Sequence, residues 1–86
     1  MSAHVRFFLD AEASPGLLPR VLQPFAKRSL TPDRMWSHRA GDTVHVEIAF
    51  DDLSDVEAQL IEGNLSQIVG VRQVVQVRHE ARRAAA

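Results

Sequence analysis

Residues 30–50 read LTPDRMWSHRAGDTVHVEIAF, and this stretch decides the fold. From Thr43 onward, Val44, Val46, Ile48 and Phe50 alternate with His45, Glu47 and Ala49, the period-two pattern of a half-buried strand. Just ahead, Gly41-Asp42 has the Gly-X form of a two-residue hairpin turn. Leu30 to Ala40 is then the extended partner, and the short loop sets Ala40 opposite Thr43, His38 opposite His45 and Trp36 opposite Glu47. That register places Met35 and Ser37 beside Ile48 and Val46 on the face to be buried, with Arg34, Trp36 and His38 on the other. Pro32 has no ladder donor and is tolerated only at an edge or a bulge, so the first strand of this hairpin is predicted to be an edge strand.

Upstream, His4 to Asp10 alternates Val5, Phe7 and Leu9 against His4, Arg6 and Phe8, which predicts another strand. Ser14 is placed to cap a helix whose first position is Pro15, where a missing N–H costs nothing. Leu17, Leu18, Val21, Leu22 and Phe25 then form one apolar stripe at helical period. Pro19 and Pro24 interrupt it; an interior proline costs about 3 kcal/mol in an ideal helix, so a kink is expected near Pro24. Downstream, Ser54 and Glu57 have capping-box spacing, and Asp51, Asp52 and Asp55 put negative charge where a helix start favours it. Val56, Leu60, Ile61, Leu65, Ile68 and Val69 carry a second stripe toward Gly70, the position of a left-handed cap. Val71 to His79 returns to alternation, with Val71, Val75 and Val77 on one side and Arg72, Gln76 and Arg78 mostly on the other.

The order is βαββαβ. Its economical packing is the α+β ferredoxin-like fold: a four-stranded antiparallel sheet with two helices on one face and right-handed crossovers. Residues 1–80 are read as a single domain, and residues 81–86, which hold nothing to bury, as a flexible C-terminal tail.

Composition narrows the function classes. Eighty-six residues make one small domain, and 45% apolar with 24% charged residues is globular rather than disordered usage. Ten Lys and Arg against eleven Asp and Glu leave a net charge of −1, with no excess to hold nucleic acid or an anionic membrane. Without cysteine there is no disulfide, thiol nucleophile or Cys-type zinc site, which suits a reducing cytoplasm. The opening MSAHVRFFLD has an apolar run of only three residues, too short for a signal peptide or a membrane span, so a soluble cytoplasmic protein is expected.

No residue pattern points to catalysis: the chain has no Gly-x-Ser-x-Gly elbow, no Gly-rich phosphate loop and no His-Glu-x-x-His. The only asparagine, Asn64, falls inside the second helix, away from any phosphate loop. The hairpin register sets His38 beside His45 on the open sheet face, but two ligands do not make a metal site, and His4 belongs at the far end. Neither a metal nor a cofactor is expected. Single-stranded RNA would want stacking aromatics on the two central strands, where Phe8 is the only candidate and Glu47 repels phosphate, although Arg6, Arg34, Arg72 and Arg78 add positive charge.

One feature remains, the loop Ala13-Ser14-Pro15-Gly16-Leu17-Leu18. A helix start attracts a carboxylate, and Gly16 permits close approach to the backbone. Taken alone, Pro15-Gly16 is equally well a plain helix start. The loop resembles that of the ACT domain, the amino-acid-sensing module, which reads Asp/Asn-x-Pro/Ser-Gly-x-Leu. Arg20-Val21 and Phe25 follow as in that family's first helix, and Leu65-x-x-Ile68-x-Gly70-Val71-x-x-Val74 is similar to its closing Leu-x-x-Leu-x-Gly-Val-x-x-Val. The resemblance runs from His4 to His79, and a free-standing unit of this length is most like the short acetolactate synthase small subunit, the regulatory partner of a thiamine-diphosphate enzyme.

That resemblance implies a non-catalytic homodimer that senses or relays a small amino-acid effector to a large catalytic subunit such as acetolactate synthase. It places the effector between Ala13, Ser14, Pro15, Gly16 and Leu17 of one chain and Leu30, Thr31 and Pro32 of the other. Arg34, Met35 and Trp36 then fall in the dimer interface, consistent with an open strand edge and a large apolar side chain in need of cover. Two positions depart from the pattern. Ala13 stands where the family has Asp or Asn to meet the ligand's ammonium, and Ser29-Leu30-Thr31-Pro32 replaces Gly-x-Asn-Ile. Asp10, Glu12 and Asp33 are the carboxylates near enough in sequence to substitute. The alternative reading is a ligand-free oligomerisation or interaction module, with an RNA binder third.

Overall fold

The computed structural model describes residues 2–80. They form β1 (Ser2–Glu12), α1 (Leu17–Lys27), β2 (Arg34–Ala40), β3 (Thr43–Ser54), α2 (Asp55–Ser66) and β4 (Val71–Glu80). The strands make one antiparallel sheet in the order β2-β3-β1-β4, which is the predicted ferredoxin-like arrangement. The tail expected at 81–86 lies outside the described residues. No helix among them is long and apolar enough to cross a membrane.

The hairpin has the predicted register, with Ala40 opposite Thr43, His38 opposite His45 and Trp36 opposite Glu47. Gly41 takes φ +66°, which a Gly-X turn requires at its first central position. On the helix side of the sheet, Val5, Phe7 and Leu9 of β1 and Val46, Ile48 and Phe50 of β3 are buried. Phe25 of α1 drops between them, with ring centroids 6.1 Å from Phe7 and 5.4 Å from Phe50. The β1–β3 register slips between Ala3 and Val5, whose partners are Leu53 and Phe50, so β3 carries one extra residue there. The bulge lets both Phe50 and Leu53 turn into the core.

Five local expectations are corrected. Helix α1 is capped at Gly16 without a side-chain bond, not at Ser14, whose carbonyl accepts the Leu17 N–H in a turn that precedes the helix. Pro19 then sits third in the helix and does not interrupt it, since no intrahelical donor is lost there, while Pro24, where the kink is expected, lies buried inside the helix. Helix α2 starts as predicted, with Ser54 Oγ accepting the Glu57 N–H at 3.2 Å, but ends at Ser66. Gly70, at φ +97°, belongs to the turn into β4 rather than to the helix cap. Only Ala58, Ile61 and Leu65 of α2 are buried, while Val56, Leu60 and the later Val69 are exposed, so the apolar stripe is narrower than its sequence.

The fourth correction concerns β4, where the partners of Asp10 and Ala11 are Gln73 and Val71, leaving Arg72 as an extra residue. That bulge reverses the alternation after Val71. Val74, Gln76 and Arg78 lie opposite Leu9, Phe7 and Val5 on the helix side, and Val75 and Val77 lie opposite Phe8 and Arg6 on the open side. The fifth is β2, which begins at Arg34 rather than Leu30 and is exposed at every residue. Met35 and Ser37 do share a face with Ile48 and Val46, but no helix reaches over them.

Candidate functional site

The strand pairing determines which backbone groups of β2 are free. A two-residue loop makes its flanking pair, Ala40 and Thr43, exchange both ladder bonds. Every second residue does the same, so Arg34, Trp36 and His38 turn their N–H and C=O groups toward β3. Two bonds at the ends of the hairpin agree: Ala13 N–H donates to the Asp42 carbonyl at 2.8 Å, and Asp33 N–H to the Ala49 carbonyl at 2.9 Å. Met35, Ser37 and Arg39 therefore present their backbone groups outward along an unpaired edge. Trp36, 57% exposed, and Met35, 40% exposed, flank this edge on opposite faces.

The open face of the sheet is built in rows. Trp36 stacks on His38 with ring centroids 5.8 Å apart, and His38 lies opposite His45, whose Nδ1 is 2.5 Å from Asp10 Oδ1. Arg34 contacts Asp51 at 3.0 Å and Arg6 contacts Glu47 at 3.7 Å. Arg78, expected on this face, lies on the helix side and pairs with Asp55. The face therefore carries less unpaired positive charge than the sequence suggests. His4 lies opposite His79, remote from His45, and among the described residues no group of three or more ligating side chains could hold a metal. A shallow depression of about 470 Å³ at the β2 margin is lined by Arg34, Met35 and Trp36 with Glu47 and Ala49.

The loop after β1 opens a different cleft, on the helix side. Ala13, Ser14, Pro15 and Leu17 line it with Leu18 of α1 and with Arg39 and Val44 from the hairpin, an open cleft of about 380 Å³. Arg39 enters because it shares the helix-side face with Met35 and Ser37 and lies opposite Val44. Gly16 is not in the lining; the Arg20 guanidinium covers it, 3.0 Å from where a Cβ would stand. Leu30, Thr31 and Pro32 are not there either. They precede the start of β2, where Leu30 N–H donates to the Phe25 carbonyl, whereas the cleft adjoins the end of β2. One chain thus separates the two groups of predicted ligand residues by the length of a strand.

None of the substitute carboxylates lines the cleft. Asp10 is on the open face with His45, and Glu12, two residues on, points to the same side. Asp33 is at the far end of β2, accepting the Asp51 N–H at 2.7 Å. Arg39, Leu18 and Val44 are lining residues that the sequence reading did not select. Arg39 was nevertheless reachable: the predicted register fixes its face by parity with Ser37, and its position beside the turn brings it to the end of β1.

The sequence profile of a family described as an ACT-like domain matches residues 1–84. Several solved structures share the fold at low identity. An uncharacterized protein from Thermotoga maritima superimposes with a TM-score of 0.75 at 15% identity, covering 91% of this chain and 98% of that one. The ACT domain from GTP pyrophosphokinase of Chlorobium tepidum gives 0.77 at 9% identity, over 90% of this chain and 100% of that one. A homoserine dehydrogenase from Thiobacillus denitrificans gives 0.76 at 16% identity, covering 91% of this chain but only 17% of its own. Among curated proteins none matches the sequence.

Proposed function

The chain belongs to the ACT-like domain family, and on that footing we propose that it is a regulatory module acting as an edge-to-edge homodimer, binding a small effector and relaying its presence to a partner enzyme. The observation that carries this reading is the position of the two separated residue groups at opposite ends of one free strand edge. A second copy pairing antiparallel through β2, about a twofold axis at Ser37, sets Met35 opposite the copy's Arg39 and uses every outward donor and acceptor of both edges. The same operation brings the copy's Leu30, Thr31 and Pro32 beside the cleft at Ala13, Ser14, Pro15 and Leu17. Trp36 then lies next to the copy's His38, and Arg34 beside its Ala40. Two incomplete half-sites become one enclosed site.

The resemblance to acetolactate synthase small subunits supports a small amino acid as effector class and a large catalytic subunit of that type as partner, acting in the cytoplasm. The likeness of the fold to part of a homoserine dehydrogenase and to the ACT domain from a GTP pyrophosphokinase supports a role beside an enzyme. The module itself would supply no catalytic group.

Ser37→Pro tests the dimer. The substitution deletes an outward N–H at the centre of the edge and leaves the β2–β3 ladder untouched, since an edge strand tolerates proline on its solvent side. The expected outcome is a folded monomer by sedimentation velocity, from a wild type that sediments as a dimer. A monomeric wild type, or a variant that still dimerises, would overturn the edge-to-edge arrangement.

A further inference from the structure

The cleft is defined by one charge and by the absence of its opposite. Five of its lining residues, Ala13, Pro15, Leu17, Leu18 and Val44, are apolar, Ser14 offers a hydroxyl, and Arg39 supplies the only charge. Arg39 Nε donates to the Gly41 carbonyl at 2.9 Å, which anchors the guanidinium beside the turn and uses one of its five donors. Among the described residues no carboxylate lies within 4.0 Å of it, whereas Arg6, Arg34 and Arg78 each have one. A positive, forked donor at the mouth of a small apolar cleft is matched to a carboxylate with an aliphatic tail.

An α-amino acid brings an ammonium as well, and no carboxylate in the lining meets it; the neutral Ser14 hydroxyl is the one side-chain acceptor there. Ala13 has no acceptor, Asp10 and Glu12 project to the other face, and the side chain of Asp42 in the turn is not part of the lining. The copy's Asp33 is the acid that the proposed twofold brings nearest among the described residues, and the Asp51 N–H of its own chain ties its Oδ2 toward β3. A cation placed beside Arg39 without a counter-charge is disfavoured by both desolvation and repulsion. Resting on the effector-binding reading above, we infer that this site takes a short aliphatic carboxylate without an α-ammonium group, such as a 2-oxo acid, with Arg39 holding the carboxylate.

Calorimetric titration of the full chain with valine and with 3-methyl-2-oxobutanoate tests this, because the two share a carbon skeleton and differ only at the second carbon. The expected result is binding of the oxo acid at least tenfold tighter than valine. Arg39→Met should weaken the oxo acid at least tenfold while sedimentation still shows the dimer, and Ala13→Asp should shift the preference toward valine. Equal or tighter binding of valine overturns the inference and leaves the regulatory reading standing. Full oxo-acid affinity in Arg39→Met overturns the role of Arg39. Binding of neither acid to a dimeric protein overturns the inference and the effector reading together, in favour of a ligand-free interaction module.

Discussion

The sheet has two edges, and they are finished differently. At β4, helix α2 lies over the strand: Gln76 Nε2 donates to Glu62 Oε1 at 2.5 Å, Arg78 pairs with Asp55, and the bulge at Arg72 breaks the straight run of backbone groups. Bulges and covering helices are the devices by which folds blunt an edge. At β2 neither device is present. The strand is seven residues long, keeps an unbroken register from Arg34 to Ala40, and is exposed throughout. Helix α1 turns Leu17, Val21, Pro24 and Phe25 into the core and leaves Leu22 37% exposed. One edge has helix packing and polar ties along its inner face and the other leaves Trp36 and Met35 in water, and the proposed edge-to-edge dimer rests on that difference.

The largest effect should come from the centre that both edges depend on. Phe25→Ala removes the ring packed between Phe7 and Phe50 and should cost about 3–5 kcal/mol of unfolding free energy by urea denaturation. In a domain this small, amides of β2 and β4 should lose protection from hydrogen exchange together; loss at β2 alone would show that the two edges are separate cooperative units. Next comes the exchange of proline between edges. By the same ladder parity, Gln76 on β4 presents its N–H outward as Ser37 does on β2. Gln76→Pro should lose the Glu62 contact, worth about 1 kcal/mol, and leave the sedimentation coefficient unchanged. Dissociation by Gln76→Pro, with Ser37→Pro silent, would exchange the roles of the two edges.

This asymmetry was partly legible in the sequence. The hairpin, its register, the edge position of β2 and the helix cap at Ser54 all follow from local patterns that tertiary packing leaves intact. The face assignment of β4 failed because one inserted residue, Arg72, inverts every later position, and no composition signal distinguishes a bulged valine-rich strand from a regular one. Helix α2 was read too long because Ile68 and Val69 continue the helical spacing while the chain has already turned; Ile68 packs on the core and Val69 is 81% exposed. At the cleft, the loop residues Ala13, Ser14, Pro15 and Leu17 were found from their motif, whereas Arg39 comes from a strand distant in sequence and is visible only when the register is followed to the hairpin's end.

The smallest effect concerns what holds the closed edge closed. Arg78 is an outward-pointing arginine by the sequence and an inward one in the fold, its side chain 28% exposed beside the first turn of α2. Asp55 meets it there, and as an acidic residue in that first turn it also opposes the positive end of the helix. Asp55→Ala removes both contributions, and because the carboxylate is 47% exposed the combined loss should be roughly 1 kcal/mol or less by urea unfolding. High salt should shrink the difference between variant and wild type, since a partly exposed pair is screened. Assembly should be untouched. If the variant instead formed larger oligomers, the Arg78–Asp55 tie would be what keeps β4 from acting as β2 does, and the closed edge would owe its closure to one ion pair rather than to the bulge and the helix.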